Sequence, residues 1–293
     1  MKRQISEEGF AFILIAPAAL IIFGVVLYPI LKTFSMSLYN IDLTRPLSRS
    51  FIGIQNYLDI LSSAEFWRSM LRTLYFAAVS ISAEFVFGTI VALLLNQKFY
   101  GRSFLRALII VPWAIPTIVN GSLWRWIFNP QYGALNALLT QLGIIETYQS
   151  WLGYPFLALN MVIVADVWKM TPLVAIMILT GLQTIPTELY ESAEVDGANM
   201  LRKFYHITLP MLRPVLLVVL ILRTMETLKV FDIIYIMTGG GPANGTQVIT
   251  YLAYREAFSY LNMSRGSTLA FLVALTIFAL SVIYVKLLGE SPH

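Results

Sequence analysis

Long apolar runs without a single charge restrict how this chain can fold more than any other feature. Residues 10–31 contain no charged side chain, and as a helix they are long enough to cross the roughly 30 Å of hydrocarbon in a bilayer. Only 12% of the 293 residues are charged and 58% are hydrophobic, whereas about a quarter of the residues in a soluble domain are charged. The sequence therefore predicts an all-α, multi-pass integral membrane protein in contact with lipid.

Six spans of this kind are predicted along the chain. We expect them at residues 10–31, 73–96, 107–128, 156–182, 215–238 and 267–288. Within the third of them, Pro112 and Pro116 each remove a backbone donor, so a kink or break is expected there.

The distribution of basic residues sets the expected topology. The connector 97–106 carries Lys98, Arg102 and Arg106 and no acid, a pattern typical of a cytoplasmic loop. It follows that residues 1–9 form a cytoplasmic tail, that residues 32–72 are extracytoplasmic, and that both termini face the cytoplasm of a cell with this protein in its plasma or inner membrane. We disfavour a signal peptide, because the first apolar run is longer than the usual 7–15 residue core.

Charged residues inside the spans are the candidates for a translocation pathway. Glu84 lies near the centre of the second span, where an ionised carboxylate costs about 3 kcal/mol on insertion scales unless it faces protein or water. Such a group either packs helices together or lines a pathway, and the sequence leaves both open. The candidate pathway residues are Glu84, Asn160, Asp166, Trp168, Lys169, Arg223, Glu226, Lys229 and Asp232.

Spacing predicts how some of these charges pair. Asp166 and Lys169 are three residues apart and would be neighbours on one helical face, able to offset each other's burial. The charges from Arg223 to Asp232 alternate in sign every three residues, which predicts a stripe winding around one helix. The stripe either faces a wet cavity or is an ion-pair ladder that fixes helix register. Trp168 is expected to pack in the core more readily than to present its ring to a sugar.

One long charged segment, residues 183–214, separates the fourth and fifth spans. Pro186 and Thr187 provide a helix start, Asp196 and Gly197 a turn, and Pro210 is expected to interrupt the second helix. Apolar residues on one side of each arm make the segment a helix–turn–helix that lies at a membrane face. An ordinary amphipathic connector is the alternative.

This segment resembles the "EAA loop" of permease subunits from ATP-binding cassette (ABC) importers. Glu191-Ser192-Ala193, three residues, Gly197, nine residues and then Ile207-Thr208-Leu209-Pro210 keep the family's spacing, with Ser192 where alanine is usual. In that family the loop docks into a groove on the ATPase subunit. The resemblance implies such a role for Glu191, Ala193, Asp196, Gly197, Ile207, Leu209 and Pro210.

The resemblance extends over residues 51–288. The segments FIGIQNY, GRSFLRALIIVPWAIP, WRWIFNPQYGALNALL, VWKMTPL, GLQTIPTELYESAEVDGA, FYHITLPMLRP, FDIIYIMTGGGP and TYLAYREAF occur in the order found in carbohydrate-type permeases of the maltose and trehalose group. Membership implies a type I ABC importer transmembrane core over residues 73–288. It also implies a second homologous permease subunit in a heterodimer, two cytoplasmic ATP-binding cassette ATPase subunits and an extracytoplasmic sugar-binding protein. The run RTMETLKVFD looks nearest to disaccharide members such as trehalose or maltose transporters.

The sequence lacks the nucleotide-binding and metal-binding motifs that would indicate an enzyme. It contains no GxxxxGK[ST] phosphate loop, no HExxH motif and no cysteine, so we expect no catalytic, cofactor or metal site and assign ATP hydrolysis to a separate subunit. The modest net charge of +4 argues against nucleic acid as a partner. Two other functions stay open: an ion-coupled secondary carrier using Glu84, Asp166 and Asp232, and a membrane scaffold that transports nothing.

Overall fold

The computed structural model describes residues 7–45, 47 and 49–288, so that residues 1–6 of the predicted cytoplasmic tail lie outside the described part. The described chain forms two compact units. One contains the residues up to Phe66 together with Leu252–Leu272, and the other contains Trp67–Tyr251 together with the residues from Val273 onward.

The first unit begins with an uninterrupted helical run. Helix α1 (Glu7–Ile21) passes through a π-helical turn (Ile22–Leu27) into α2 (Tyr28–Ser37), so the helix extends past both ends of the predicted span at residues 10–31. The most apolar 18-residue stretch between Leu14 and Ser37 has a mean hydropathy of 2.5. An apolar segment of this kind is stable in lipid without covering protein.

Two short strands and a helix follow in the same unit. Strand β1 (Tyr39–Asn40) pairs antiparallel with β2 (Ser50–Phe51), and α3 (Gln55–Ser62) comes next. The buried Asn56 side chain donates hydrogen bonds to the carbonyls of Ser37 (2.7 Å) and Tyr39 (2.9 Å). These bonds satisfy backbone acceptors at the point where the long helix ends.

The second unit is built around α9 (Pro155–Leu182). More than half of its most apolar stretch is buried, 56% against 33% for α4 (Ala64–Asn96), which makes α9 the central helix of this unit. At Gly88 the backbone of α4 approaches α9 so closely that an added Cβ would lie 2.7 Å from Cγ1 of Val174. Small residues allow such close helix contacts where lipid gives little hydrophobic drive between helices.

The third predicted span is broken. Its helices are α5 (Arg102–Ile109), α6 (Val111–Ala114) and α7 (Thr117–Ile127), and the two halves meet at an angle of 91°. Ile115 is extended and Pro116 follows it, which matches the preference of a residue before proline for extended backbone. The predicted break is therefore confirmed.

Connectors and later spans follow, of which Leu252–Leu272 belongs to the first unit and the remainder to the second. The connector after α7 holds α8 (Ala134–Gln141), and the segment after α9 holds α10 (Thr187–Val195) and α11 (Met200–Lys203). A π-helical turn (Phe204–Thr208) leads into α12 (Leu209–Thr227). Helices α13 (Asp232–Met237), α14 (Ile249–Tyr254) and α15 (Met263–Leu288) follow, with a π-helical turn (Arg255–Ser259) after α14. In the described residues, five helices are long and apolar enough to span, and the bent pair supplies a sixth.

One buried asparagine organises the connector that contains α8. The Asn136 amide nitrogen donates to the carbonyls of Asn129 (3.2 Å) and Gln149 (3.0 Å), and its oxygen accepts from Gln149 N (3.0 Å) and Trp151 Nε1 (2.9 Å). One side chain thus satisfies four bonds in a loop that has little regular structure of its own.

Candidate functional site

Six of the predicted pathway residues converge on one polar cavity in the second unit. The cavity has a volume of about 300 Å³, at the lower end of the ~300–1,000 Å³ range of ligand pockets. Its walls come from α9, the first residue of α7, the end of α12 with the loop beyond it, and the start of α13. The charged residues in its wall are Asp166, Lys169, Arg223, Glu226, Lys229 and Asp232.

The deepest part of this charged cluster is an ion pair between α4 and α12. Arg223 donates from Nε to Glu84 Oε2 (2.7 Å) and from Nη2 to Glu84 Oε1 (2.8 Å). The Glu84 side chain is fully buried and that of Arg223 is 2% exposed. Such a fork-to-fork arrangement fixes both position and angle, and it explains how a carboxylate is tolerated at the centre of a span.

Two further carboxylates face the same guanidinium. Nη1 of Arg223 donates to Glu226 Oε2 (2.5 Å) one turn along α12, and Nη2 lies 3.6 Å from Asp166 Oδ2 on α9. Within the described residues Asp166 Oδ2 is buried and accepts no hydrogen bond. Arg223 is therefore one cation set against three carboxylates on three helices.

Lys169 holds the broken span instead of pairing with its helical neighbour. Its Nζ donates to the backbone carbonyls of Trp113 (3.1 Å) and Ile115 (2.6 Å), which lie on the two sides of the last residue of α6. The bend prevents these carbonyls from continuing a helical ladder, so the buried ammonium satisfies them. Asp166 and Lys169 line the same cavity, as expected of neighbours on one face of α9. No direct ion pair joins them in the described residues, because Lys169 Nζ is bonded to the broken span and Asp166 faces Arg223.

The predicted stripe of four charges on one helix is also wrong. Helix α12 ends at Thr227, so Lys229 and Asp232 lie beyond it. Three-residue turns close the helix, with Lys229 N donating to Glu226 O and Val230 N to Thr227 O, both at 3.1 Å. After the break the Asp232 carboxylate lies in the first turn of α13, where the helix dipole favours an acid.

Aromatic packing accompanies that break. The ring of Phe231 stacks on Tyr235 with centroids 5.5 Å apart and on Tyr251 at 6.2 Å. The span predicted at residues 215–238 is thereby divided into the end of α12, a four-residue loop and α13. Lys229 in this loop and Asp232 at the start of α13 both line the cavity.

Asn160 and Trp168 line a different cavity. It is larger, about 750 Å³, and mainly apolar. Asn160 accepts a hydrogen bond from the Tyr75 hydroxyl (2.9 Å) and donates to Phe156 O (2.8 Å). The ring of Trp168 packs edge-on against Trp124 with centroids 5.7 Å apart. The structure thus separates these two residues from the charged candidates.

The charged segment after α9 folds as two short helical arms. Gly197 in the turn has φ +76°, a conformation that glycine adopts without steric cost. Asn199 caps the second arm, its Oδ1 accepting from Arg202 N (2.9 Å), and Lys203 Nζ donates to Glu194 Oε1 (2.5 Å) between the arms. Only four residues separate α9 from α10.

This helix–turn–helix presents an apolar surface without a cover in the described chain. Val195, Met200 and Leu201 are 89%, 78% and 67% exposed. The side chain of Glu191 is exposed as well, whereas Ile207 packs against the core of the second unit. Large exposed apolar groups next to charged ones are a common mark of a protein interaction surface.

Pro210 does not interrupt the second helix as expected. The helical run continues from Met200 to Thr227, with Pro210 in the first turn of α12. The π-helical turn before it changes the hydrogen-bond register, since Leu209 N donates five residues back to Phe204 O. The helix thereby passes a residue that has no N–H of its own.

Some groups of the site are not predicted by the sequence. The carbonyls of Trp113 and Ile115 are backbone groups, for which the only signal is the pair of nearby prolines. Thr117, Thr227 and Phe231 also line the polar cavity, and no spacing distinguishes them from other residues of their type.

A helical, multi-pass chain with a charged internal cavity and an exposed helical connector defines the class of membrane transport subunits. The model of the family described as "Binding-protein-dependent transport system inner membrane component" matches residues 84–288. The chain belongs to this family, and the predicted membership is confirmed. It is accordingly a multi-pass inner membrane protein and the permease component of a transport system.

Named relatives cover nearly the whole chain. The trehalose/maltose transport system permease protein MalF of Thermococcus litoralis is 41% identical over 288 residues, 97% of this chain and 95% of the relative. The trehalose transport system permease protein SugA of Mycobacterium tuberculosis is 34% identical over 98% of this chain and 91% of its own length.

A solved structure supports the fold. A chain in the crystal structure of a bacterial ABC transporter that imports the acidic polysaccharide alginate superposes with a TM-score of 0.83 at 20% identity, covering 99% of this chain and 98% of its own. The fold class predicted from the sequence, an all-α transmembrane subunit of an ABC importer, is therefore confirmed.

Proposed function

We propose that this chain forms half of the translocation pathway of an ATP-driven sugar importer. The observation that carries the proposal is the convergence of six charged side chains on one polar cavity in a permease-family fold. Carboxylates and ammonium or guanidinium groups side by side suit a neutral, hydroxyl-rich solute, which both donates and accepts hydrogen bonds. The names of the relatives, which include trehalose and maltose transport systems, favour a disaccharide of this kind.

Separate subunits supply the remaining functions in this proposal. Two cytoplasmic ATPase subunits hydrolyse ATP, a second homologous permease completes the pathway, and an extracytoplasmic binding protein delivers the sugar. One structure similar in fold contains an alginate transporter in complex with its periplasmic protein loaded with an alginate pentasaccharide, which supports the last of these partners by analogy.

The surface of α10 and α11 is the docking site that we propose for an ATPase subunit. It carries exposed apolar residues and the exposed acid Glu191, and its turn depends on Gly197. The other residues of the predicted loop are Ala193, Asp196, Ile207, Leu209 and Pro210. Four residues join α9 to this surface, and α9 also lines the polar cavity. Movement of the docked subunit is therefore transmitted through α9 to the cavity that holds the solute.

Topology follows from the same assignment. Docking requires residues 183–214 to face the cytoplasm, and the basic connector 97–106 then faces it too, with both termini on that side. The chain contains no cysteine, so single cysteines introduced at Tyr100 and Tyr148 report sidedness directly. A membrane-impermeant maleimide added to intact cells should label the second and spare the first, and the reverse pattern would contradict the topology.

Reconstituted uptake tests the function. Proteoliposomes that contain this chain with its co-expressed subunits should take up labelled disaccharide only when ATP and the binding protein are both present. Uptake driven by an ion gradient without ATP would support the secondary carrier instead, and absence of uptake would support a scaffold.

A matched pair of charge reversals tests the docking site. Glu191→Arg should abolish co-purification of the ATPase subunits and ATP-driven uptake while the chain still inserts. Glu146→Arg reverses an equally exposed acid, but one separated from the docking surface by the full length of α9, so it should leave co-purification intact. Normal co-purification with Glu191→Arg would refute this docking site.

A further inference from the structure

We infer that Lys169 is a positioning residue that makes the broken span move together with α9, and so couples the docked ATPase to opening and closing of the pathway. The inference rests on the proposed function. Its basis is the pair of hydrogen bonds from Lys169 Nζ to the carbonyls of Trp113 and Ile115, at 3.1 and 2.6 Å.

These bonds lie at the break of the span, where the backbone ladder is interrupted. The halves meet at 91°, and Pro116 denies the bend a backbone donor. Within the described residues, the ladder across the bend resumes only with Asn120 N donating to Pro116 O (3.0 Å). A bend without continuous backbone bonds is free to change its angle unless another group fixes it.

A buried lysine is an unusual donor for hydrogen bonds that serve only to hold the structure together. Lys169 is 9% exposed, and a buried ammonium is costly unless it is fully hydrogen-bonded. A neutral polar group would satisfy the carbonyls at lower cost. What lysine adds is reach, because its four-carbon stem lets a residue on α9 bind a backbone that lies a helix radius away.

The position of Lys169 on α9 links it to α12 and to the proposed docking surface. One turn earlier, Asp166 lies 3.6 Å from Arg223 on α12, so consecutive turns of α9 engage α12 and the broken span. At its other end α9 leads, after four residues, into the proposed docking surface. Asn120 Nδ2 of α7 also donates to Ala165 O of α9 (3.3 Å), so the second half of the span has its own bond to α9. The bonds of Lys169 are the ones that hold the end of α6 and the bend itself, and a shift of α9 is transmitted to the bend through them.

Uptake and ATP hydrolysis measured in the same reconstituted transporter test this role. Lys169→Met keeps the length of the stem and removes every donor. It should lower the maximal rate of uptake by roughly tenfold, the range of coupling effects carried by single residues, while ATP hydrolysis continues and the KM for sugar changes little. Lys169→Arg, which retains charge and donors, should recover most of the uptake. Lys98→Met removes an exposed lysine outside the cavity and should change neither rate.

Several outcomes would overturn the inference. It fails if Lys169→Met transports normally, if uptake and hydrolysis fall by the same factor in an assembled complex, or if only the KM rises, since the last result would make Lys169 a solute ligand instead. Absence of ATP-dependent uptake in the unmodified transporter would overturn the proposed function itself, and this is seen before any substitution is made.

A second measurement remains informative even if Lys169→Met assembles poorly. In the cysteine-free chain, Thr117→Cys places a thiol at the first residue after the bend. Its rate of maleimide labelling should differ between the nucleotide-free and the vanadate-trapped transporter, and this difference should disappear when Lys169→Met is added. An unchanged difference would show that the bend moves without the lysine.

Discussion

Removing Arg223 should destabilise the protein far more than neutralising its buried partner Glu84. Arg223→Met leaves a fully buried carboxylate without its two hydrogen bonds of 2.7 and 2.8 Å and leaves Asp166 without a facing cation. Loss of one member of a buried ion pair costs about 3–5 kcal/mol. The bond to Glu226 adds little, because that carboxylate is 46% exposed and exposed pairs contribute about 0–1 kcal/mol.

Glu84→Gln has a smaller expected cost. The amide keeps an acceptor oxygen for Arg223, which also retains two other carboxylates, so the loss should be about 1–3 kcal/mol, the value for an impaired buried hydrogen bond. The two variants should therefore differ by about 2 kcal/mol, or roughly thirtyfold in the ratio of folded to unfolded protein.

Denaturation of the purified complex in mixed micelles, titrated with SDS, measures both variants. The double variant Glu84→Leu with Arg223→Met should be more stable than Arg223→Met alone, because it removes the stranded charge together with its partner. Equal destabilisation by Arg223→Met and Glu84→Gln, or a double variant less stable than either single one, would refute this account of the ion pair.

Three further predictions concern packing and turns. Gly88→Ala should destabilise the protein by about 1–3 kcal/mol, because its Cβ would lie 2.7 Å from a side chain of α9. At Gly24 an added Cβ has no atom within 4 Å, so Gly24→Ala should stabilise its helix by about 0.5–1 kcal/mol. The same SDS titration compares the two, and equal signs would contradict the close contact. Gly197→Ala should strain the turn by about 1 kcal/mol and reduce ATP-driven uptake without reducing the amount of inserted chain in a membrane immunoblot; normal uptake would argue against a rigid turn. Asn136→Leu leaves buried partners unsatisfied and should cost about 1–3 kcal/mol in thermal unfolding, whereas an unchanged melting temperature would mean that water replaces the amide.

Spans and the break were predictable from the sequence because both depend on local chemistry. An apolar run of spanning length has few alternatives in a membrane, and Pro116 removes a donor wherever it is placed. The boundaries were less predictable. The fifth span, predicted at residues 215–238, lies earlier in the chain, since α12 begins at Leu209 and ends at Thr227.

The members of the charged cluster were predictable and their partners were not. Spacing along a helix places Asp166 and Lys169 on one face, but it does not show that Lys169 is bonded to the broken span or that Asp166 faces Arg223. Glu84 and Arg223 are 139 residues apart, and no local pattern relates them. The acceptors of Lys169 are main-chain carbonyls, which have no signature in the sequence. The proposed docking loop depends on a family resemblance, since its own pattern does not exclude an ordinary connector.

An ammonium group has three N–H bonds, and Lys169 uses two of them on the broken span while its side chain also borders the polar cavity. The bend and one wall of the cavity therefore share a side chain, so a change in the angle of the bend also changes the shape of the cavity. A solute that fits the cavity better at one bend angle shifts the equilibrium toward that angle, and the bend changes the affinity for the solute by the same factor.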